Sequence, residues 1–369
     1  MASAEHVRAL RALLDGLHHA QQLDPACWET VLRLARSTRL HGRLAAAQLG
    51  GTDLPAVVER HLCSAARIAA FNRQMLIAEL HQLAPLCQGD FPVVLLKGAA
   101  YAAQNHAGAN GRLVSDVDLL VPRSALRTME QRLHDAGWRS APLDPYDERY
   151  YRDWSHETPP LRFPGHFLEV DLHHAITPVT ARLNFDPAPL IEASEALPDS
   201  VFRVLQGEDQ LLHACLHCFQ DGDLGLRLRE VADIDSLLRH HGRADGADAT
   251  NGFARRLIER ATQLGLLRPL WYGLHFAARW FATPQAVTML AQLPPGAWPA
   301  ATTRLLMDRL VPLAMLPGNP DLPPPLAARL ARQAMLTRYH WQRMPLRLLL
   351  PHLARKAILR TRWRGQAQA

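Results

Sequence analysis

Ser115-Asp116-Val117-Asp118-Leu119-Leu120-Val121 is the stretch on which the reading of this chain turns. Val117, Leu119 and Val121 alternate with the two aspartates, and Pro122 closes the run, the pattern of a β-strand with one buried face. Two-residue spacing in a strand turns both carboxylates to the same side. At the end of an apolar strand they repel each other and lose hydration, a cost that a bridging divalent cation removes. Mg²⁺ prefers such oxygen ligands and keeps waters and substrate phosphates in its other positions. On the spacing alone, two solvated aspartates at a strand end is the simpler reading, so the flanking segments decide.

Upstream, Phe91-Pro92-Val93-Val94-Leu95-Leu96 is continuously apolar and partly β-branched, which predicts a buried strand ending at Lys97-Gly98. Ala99 to His106 suits one or two helical turns. Downstream, Ser124 to Ala136 predicts a helix with Ser124 as its N-cap and Gly137 as its stop. Leu161-Arg162-Phe163 and Phe167-Leu168-Glu169-Val170-Asp171-Leu172 flank the turn residues Pro164-Gly165-His166, which predicts a hairpin. Strand, helix, strand, helix and hairpin make an α/β core, placed at residues 89–186.

On both sides of that core the periodicity is helical. Leu10, Leu13, Leu14 and Leu17 recur at three- and four-residue spacing within a helical region at 1–88. Gln210 to Phe219, Leu226 to His241, Phe253 to Leu264 and Leu270 to Phe281 are the clearest segments of a second helical region at 187–316. Pro317 to Pro325 then opens a proline-rich linker and basic tail, 317–369. The expected fold class is α+β, a small mixed sheet between a helical N-terminal region and a larger helical C-terminal one.

Three neighbours shift the balance on Asp116 and Asp118. Lys97 and Gly98 form a turn after an apolar strand, where backbone N–H groups and an ammonium can meet phosphate. Arg112 stands just before the strand and could neutralise a triphosphate, with Ser115 beside it as a further phosphate candidate. Glu169 and Asp171, again two apart, offer a third carboxylate from a later strand. Lys97-Gly98 is not a Walker A loop, because the G-x-x-x-x-G-K-[ST] spacing is absent.

Taken together, Leu95-Leu96-Lys97-Gly98, Arg112, Ser115 to Val121 and Glu169-Val170-Asp171-Leu172-His173 resemble the polymerase-β-like nucleotidyltransferase superfamily. They look most like its bacterial group of uncharacterised nucleotidyltransferases, with motifs L-K-G, D-[IV]-D-[LI]-L-[VI] and [ED]-[LI]-H. The likeness spans about residues 80 to 240 and extends through Glu208 to His213, His217 and Arg229 to Ile234. It implies two divalent ions, Mg²⁺ or Mn²⁺, with Asp116 and Asp118 holding both and Asp171 completing the site. Lys97 and Gly98 stand where the superfamily more often reads Gly-Ser. The implied reaction moves a nucleoside monophosphate from a nucleoside triphosphate to a hydroxyl of a small molecule, peptide or protein. The alternative is a catalytically idle protein of the same fold that serves a biosynthetic complex.

Other candidates divide by geometry. Glu169 rivals Asp171 as third ligand, but Leu172-His173 follows Asp171 and favours it. His173 could support a metal-bound carboxylate or touch substrate, whereas His174 points to the opposite face. His213 and His217 lie one helical turn apart and could face the cleft. Cys215 and Cys218 suit a helix core better than zinc, since no second ligand pair follows. Asp233 and Asp235 repeat the D-x-D spacing inside a helical pattern, where they diverge by ~200°.

Composition limits the remaining classes. With 48% hydrophobic and 21% charged residues, the chain reads as ordinary globular protein. The net charge of +6 arises in the tail: after Leu322 there are ten Lys/Arg and no Asp or Glu, and the rest is slightly acidic. A sequence-specific nucleic-acid partner is therefore not expected, while the tail, with Tyr339, Trp341 and Trp363, could contact a membrane surface or a protein. Five scattered cysteines suit a reducing cytoplasm. Neither an 18-residue apolar run nor a leader-like start is present, so a cytoplasmic, at most membrane-peripheral, protein is expected.

Overall fold

A computed structural model describes residues 4–16, 23–49, 53–220, 224–242, 249–317 and 323–355. Leu17, residues 318–322 of the proline-rich stretch, and the tail beyond residue 355 with Lys356 and Trp363 lie outside them. Seven strands occur among the described residues: β1 (Val94–Leu95), β2 (Asp116–Leu120), β3 (Arg139–Ser140), β4 (Leu161–Arg162), β5 (Glu169–His173), β6 (Glu195–Ala196) and β7 (Arg203–Val204). They form one mixed sheet in the order β3-β4-β5-β2-β1-β7-β6.

The two long strands lie at its centre and run parallel, with Asp116 opposite Glu169 and Asp118 opposite Asp171. Parallel neighbours need a crossover, and α6 (Leu126–Asp135) begins it. Val117, Leu119, Val170 and Leu172 are fully buried, as strands covered on both faces require. The hairpin expectation is met by β4 and β5, which pair antiparallel through Leu161 and Val170.

One cover is α4 (Ala56–Cys87), whose buried residues Val58, Leu62, Ala65, Ala69, Asn72, Leu76, Glu79, Leu83 and Cys87 recur every three or four positions. Each buried leucine contributes roughly 2 kcal/mol through lost apolar surface. The two polar members of the stripe fix the sheet's approach. Asn72 donates to the Val114 carbonyl at 2.8 Å and accepts from the Val114 N–H at 2.7 Å, which pins the chain just before β2. Glu79 contacts His166 of the hairpin turn at 2.8 Å.

The helical segments after the sheet match the periodicity closely: α9 (Gly207–Gln220), α10 (Leu228–His241), α11 (Ala249–Gln263) and α12 (Leu267–Phe281). Cys215 and Cys218 are buried, and a Cβ on Gly273 would lie 2.1 Å from the Cys215 sulfur, so α9 and α12 meet at van der Waals limit. These cysteines are packing residues. The first helix, α1 (Ala4–Leu14), packs on α12, and one continuous apolar core joins both helical regions to the sheet.

Three local expectations differ from the structure. Only Val94 and Leu95 of the 91–96 run pair in the ladder, and Pro92 cannot donate to it. Ser124 is not a cap: it sits inside a 3₁₀ turn (Arg123–Ala125), and α6 starts after it with no side-chain cap. The sheet also continues past residue 186, because β6 and β7 add an edge beside β1. Two-residue strands with exposed Glu195 and Ala196 carry no periodicity that a sequence could display. Among the described residues no helix is long and apolar enough to cross a membrane.

Candidate active site

Neighbouring parallel strands in register place Asp118 of β2 beside Asp171 of β5, and Asp116 sits two residues back on the same face. One oxygen from each of the three carboxylates lies within 4.8 Å of the other two. They stand in a cleft of about 370 Å³ that Lys97, Gly98, Arg112, Glu157, His217 and Arg229 also line.

The three carboxylates are in different states. Asp118 is buried, and its Oδ1 accepts from both Lys97 Nζ at 2.7 Å and His173 Nε2 at 2.9 Å. Burial alone would raise the Asp118 carboxyl, but Lys97 and His173 hold it well below the usual carboxylate range. His173 is raised in turn: burial opposes its charge, and the bond to Asp118 and the nearby Glu157 outweigh burial. Asp116 is half-buried and accepts from Ser115 Oγ at 3.1 Å. Asp171 Oδ1 is buried without a partner, and burial, followed by the Asp118 charge, pushes this carboxyl up to about 7.

An orphaned carboxylate oxygen beside two other aspartates fits a divalent cation, which would give Asp171 the opposite charge it lacks. Asp171 must lose its proton for that cation to bind. Affinity for Mn²⁺ is therefore expected to fall by up to about tenfold per pH unit below pH 7 and to level off above it. Titration of free Mn²⁺ by EPR checks this, and Asp171→Asn should flatten the slope. In cation-free protein the sign is opposite. The folded state holds this proton more tightly than the unfolded chain, so the Asp171 contribution to stability declines as pH rises from the ordinary carboxylate range through 7.

Lys97 adopts φ +47°, a left-handed conformation that a non-glycine residue rarely takes, at the start of α5 (Lys97–Ala103). Gly98 is required for a different reason: a Cβ there would lie 2.0 Å from Arg112 Nη1 and 3.1 Å from Val114. Arg112 passes over the glycine to reach Asp233, with Nε at 3.0 Å from Oδ1 and Nη2 at 3.0 Å from Oδ2. Arg43 joins the same carboxylate, so Asp233 binds two buried guanidiniums. Two cations thereby hold the Asp233 carboxyl below its ordinary value despite its burial.

The other sequence candidates separate clearly. Ser115 is exposed and bonds to Asp116. Glu169 pairs with Arg162 at 2.5 Å and stays out of the carboxylate group. His217 lines the cleft and contacts Glu230 at 3.1 Å, whereas His213 is buried and burial keeps it well below the usual imidazole range. His174 faces away, with burial pulling it down to about 4, and lines a larger groove of about 1340 Å³ in which, among the described residues, no three carboxylates converge. Size therefore does not identify the chemistry here. Asp235 bonds to Arg239 at 2.8 Å, away from Asp233.

Several cleft residues carry no sequence signal. Glu157 comes from a loop, bridges to His173, and stands 3.5 Å from its Nε2. His156, Glu157 and His173 form a second converging group against the first. Arg39, at φ +58°, reaches the cleft just after α2 (Pro25–Ser37) with no motif around it, and Arg229 reaches it from α10, inside the Arg229–Ile234 segment of the resemblance but with no role read for it there.

No curated protein and no solved structure matches the chain. A family model described as uncharacterised nucleotidyltransferase matches residues 24–282, most of the chain. That span includes Lys97, Asp116, Asp118, Asp171 and Asp233 together with the whole sheet. The α+β fold, the carboxylate group and this match agree, and the chain belongs to that nucleotidyltransferase family.

Proposed function

We propose that this protein is a metal-dependent nucleotidyltransferase moving a nucleoside monophosphate from a nucleoside triphosphate to a hydroxyl-bearing small molecule, peptide or protein. The observation that carries the reading is the convergence of Asp116, Asp118 and Asp171, one oxygen of the last buried without a partner. Asp116 and Asp118 would hold two ions, Mg²⁺ or Mn²⁺, with Asp171 completing the set. Bound there, the ions would lower the pKa of the acceptor hydroxyl and stabilise charge on the phosphates.

The chain's own groups have separable tasks. Lys97 and His173 keep Asp118 ionised and fix its oxygen. Asp171, ionised once the cations are held, is placed to take the acceptor proton, with the ions doing most of the lowering of that hydroxyl's pKa. The acceptor oxygen bonds to the α-phosphorus as the α–β bridging bond breaks, and pyrophosphate leaves with the bonding pair. One observation favours the idle alternative, since the Lys97 ammonium already occupies Asp118.

Incubation with Mg²⁺ or Mn²⁺ and each labelled triphosphate separates the two readings through metal-dependent binding, pyrophosphate release and covalent transfer. Binding without release on any candidate acceptor would support the idle alternative. Absence of metal-dependent triphosphate binding for every base would sink both. Five free cysteines suit a reducing cytoplasm. The basic tail, 317–369, is assigned to a partner or membrane contact through side chains such as the exposed Trp341 and Leu350, while Arg338 and Arg355 are already bonded within the fold, to the Phe219 carbonyl at 2.8 Å and to Asp144 at 2.9 Å.

A further inference from the structure

Lys97 and Arg112, the two cations that the sequence offered for phosphate, spend their charge on Asp118 and Asp233. A triphosphate entering the same cleft needs other partners. Arg229 lines that cleft, its Nε is buried without a partner, and its Nη1 reaches only the Leu113 carbonyl, at 3.3 Å. Arg227, two residues earlier, is neutralised by Glu230, so it does not compensate or compete. Arg39, exposed and turned by its left-handed backbone at the end of α2, lines the cleft too. Arg229 is accordingly the half-buried cation with a donor to spare, and Arg39 adds a second charge.

Resting on the nucleotidyltransferase reading, we propose that Arg229 and Arg39 form a polyphosphate subsite that holds the β- and γ-phosphates without needing metal. The cleft is then bipolar. Carboxylates gather cations at one set of walls, and guanidiniums offer planar paired donors to phosphate oxygens at another. Burial, followed by the Arg112 charge, pulls Arg229 down to about 10, with Asp233 and Glu230 opposing and Arg39 adding to the repulsion, so an anion there would offset the repulsion among these guanidiniums. Arg229 positions the leaving group and has no part in proton transfer.

The test is calorimetric titration of the full chain with inorganic tripolyphosphate in EDTA. Wild-type protein should bind it, with affinity falling as salt rises. Arg229→Met should weaken binding by roughly 10- to 100-fold, and Arg229→Lys should recover part of it. Arg39 is exposed, so Arg39→Met tests the subsite without threatening the fold, and a loss of severalfold is expected. Where transfer is measurable, Arg229→Met should raise the triphosphate KM more than it lowers kcat.

Metal-free binding that is undetectable, or unchanged in both methionine variants, overturns the subsite. That result together with intact metal-dependent transfer would leave the enzyme reading standing. Tripolyphosphate binding that both variants weaken, with no metal-dependent transfer, would instead keep the subsite and remove the enzyme reading.

Discussion

Asp116→Asn and Asp118→Asn should both abolish metal-dependent triphosphate binding, but only Asp118→Asn should also cost stability. Each exchange keeps side-chain shape and removes one negative charge from the group that meets the cation. Metal affinity should fall by more than the roughly 10- to 100-fold typical of residues that merely support a ligand. The structural consequences part ways because the two aspartates have different neighbours. Asp116 is half-buried, and its recorded partner is a surface serine. Asp118 is buried and receives Lys97 and His173 on one oxygen. An amide at 118 leaves the ammonium without its counter-charge, and removing one partner of a buried ion pair costs about 3–5 kcal/mol. Urea unfolding of both variants in EDTA, beside Mn²⁺ and triphosphate titrations, reads the two effects separately. Equal stability loss would mean that Lys97 finds another carboxylate, with Asp116, whose charge acts on Lys97 next after Asp118, the first candidate. Full binding in both variants would remove these residues from the metal site.

The contrast between those two aspartates was not legible in the sequence, although their shared strand face was. Alternation of Val117, Leu119 and Val121 with the acids specifies a face, and the same alternation in Glu169-Val170-Asp171-Leu172 specifies a second strand. Their parallel register then brings Asp171 beside Asp118. Periodicity says nothing of what approaches a face from elsewhere. Lys97 reaches Asp118 because a left-handed backbone turns it there, and Glu157 arrives on a loop. Arg112 is the sharper case. Its position before the strand suggested a phosphate partner, but its guanidinium crosses Gly98 to a carboxylate 121 residues away. Asp233 looked like a helical decoy beside Asp235. The helix does separate the two, and separation is what leaves Asp233 free to hold Arg43 and Arg112. Long-range ion pairs have no spacing rule, so they stay invisible until the fold is known.

That buried triad also provides a test of what Arg112 does. Asp233→Ala should destabilise the protein by about 3–5 kcal/mol, since two guanidiniums, each less than a tenth exposed, lose their shared counter-charge. Thermal or urea unfolding measures it. The harder question is whether Arg112 serves only the fold, because it also lines the cleft and crosses the Lys97-Gly98 turn. Replacing the whole triad with apolar residues, Arg43→Met, Arg112→Met and Asp233→Leu together, removes all three charges at once and should restore much of the lost stability. If Arg112 is only a structural partner, the triple variant regains stability and binds triphosphate as the wild-type protein does. If its charge is felt by the phosphates, stability returns while triphosphate affinity stays low. We expect the second outcome: Asp233 has a single negative charge to share between Arg43 and Arg112, which leaves net positive charge beside a cleft where Arg229 already lacks a counter-ion.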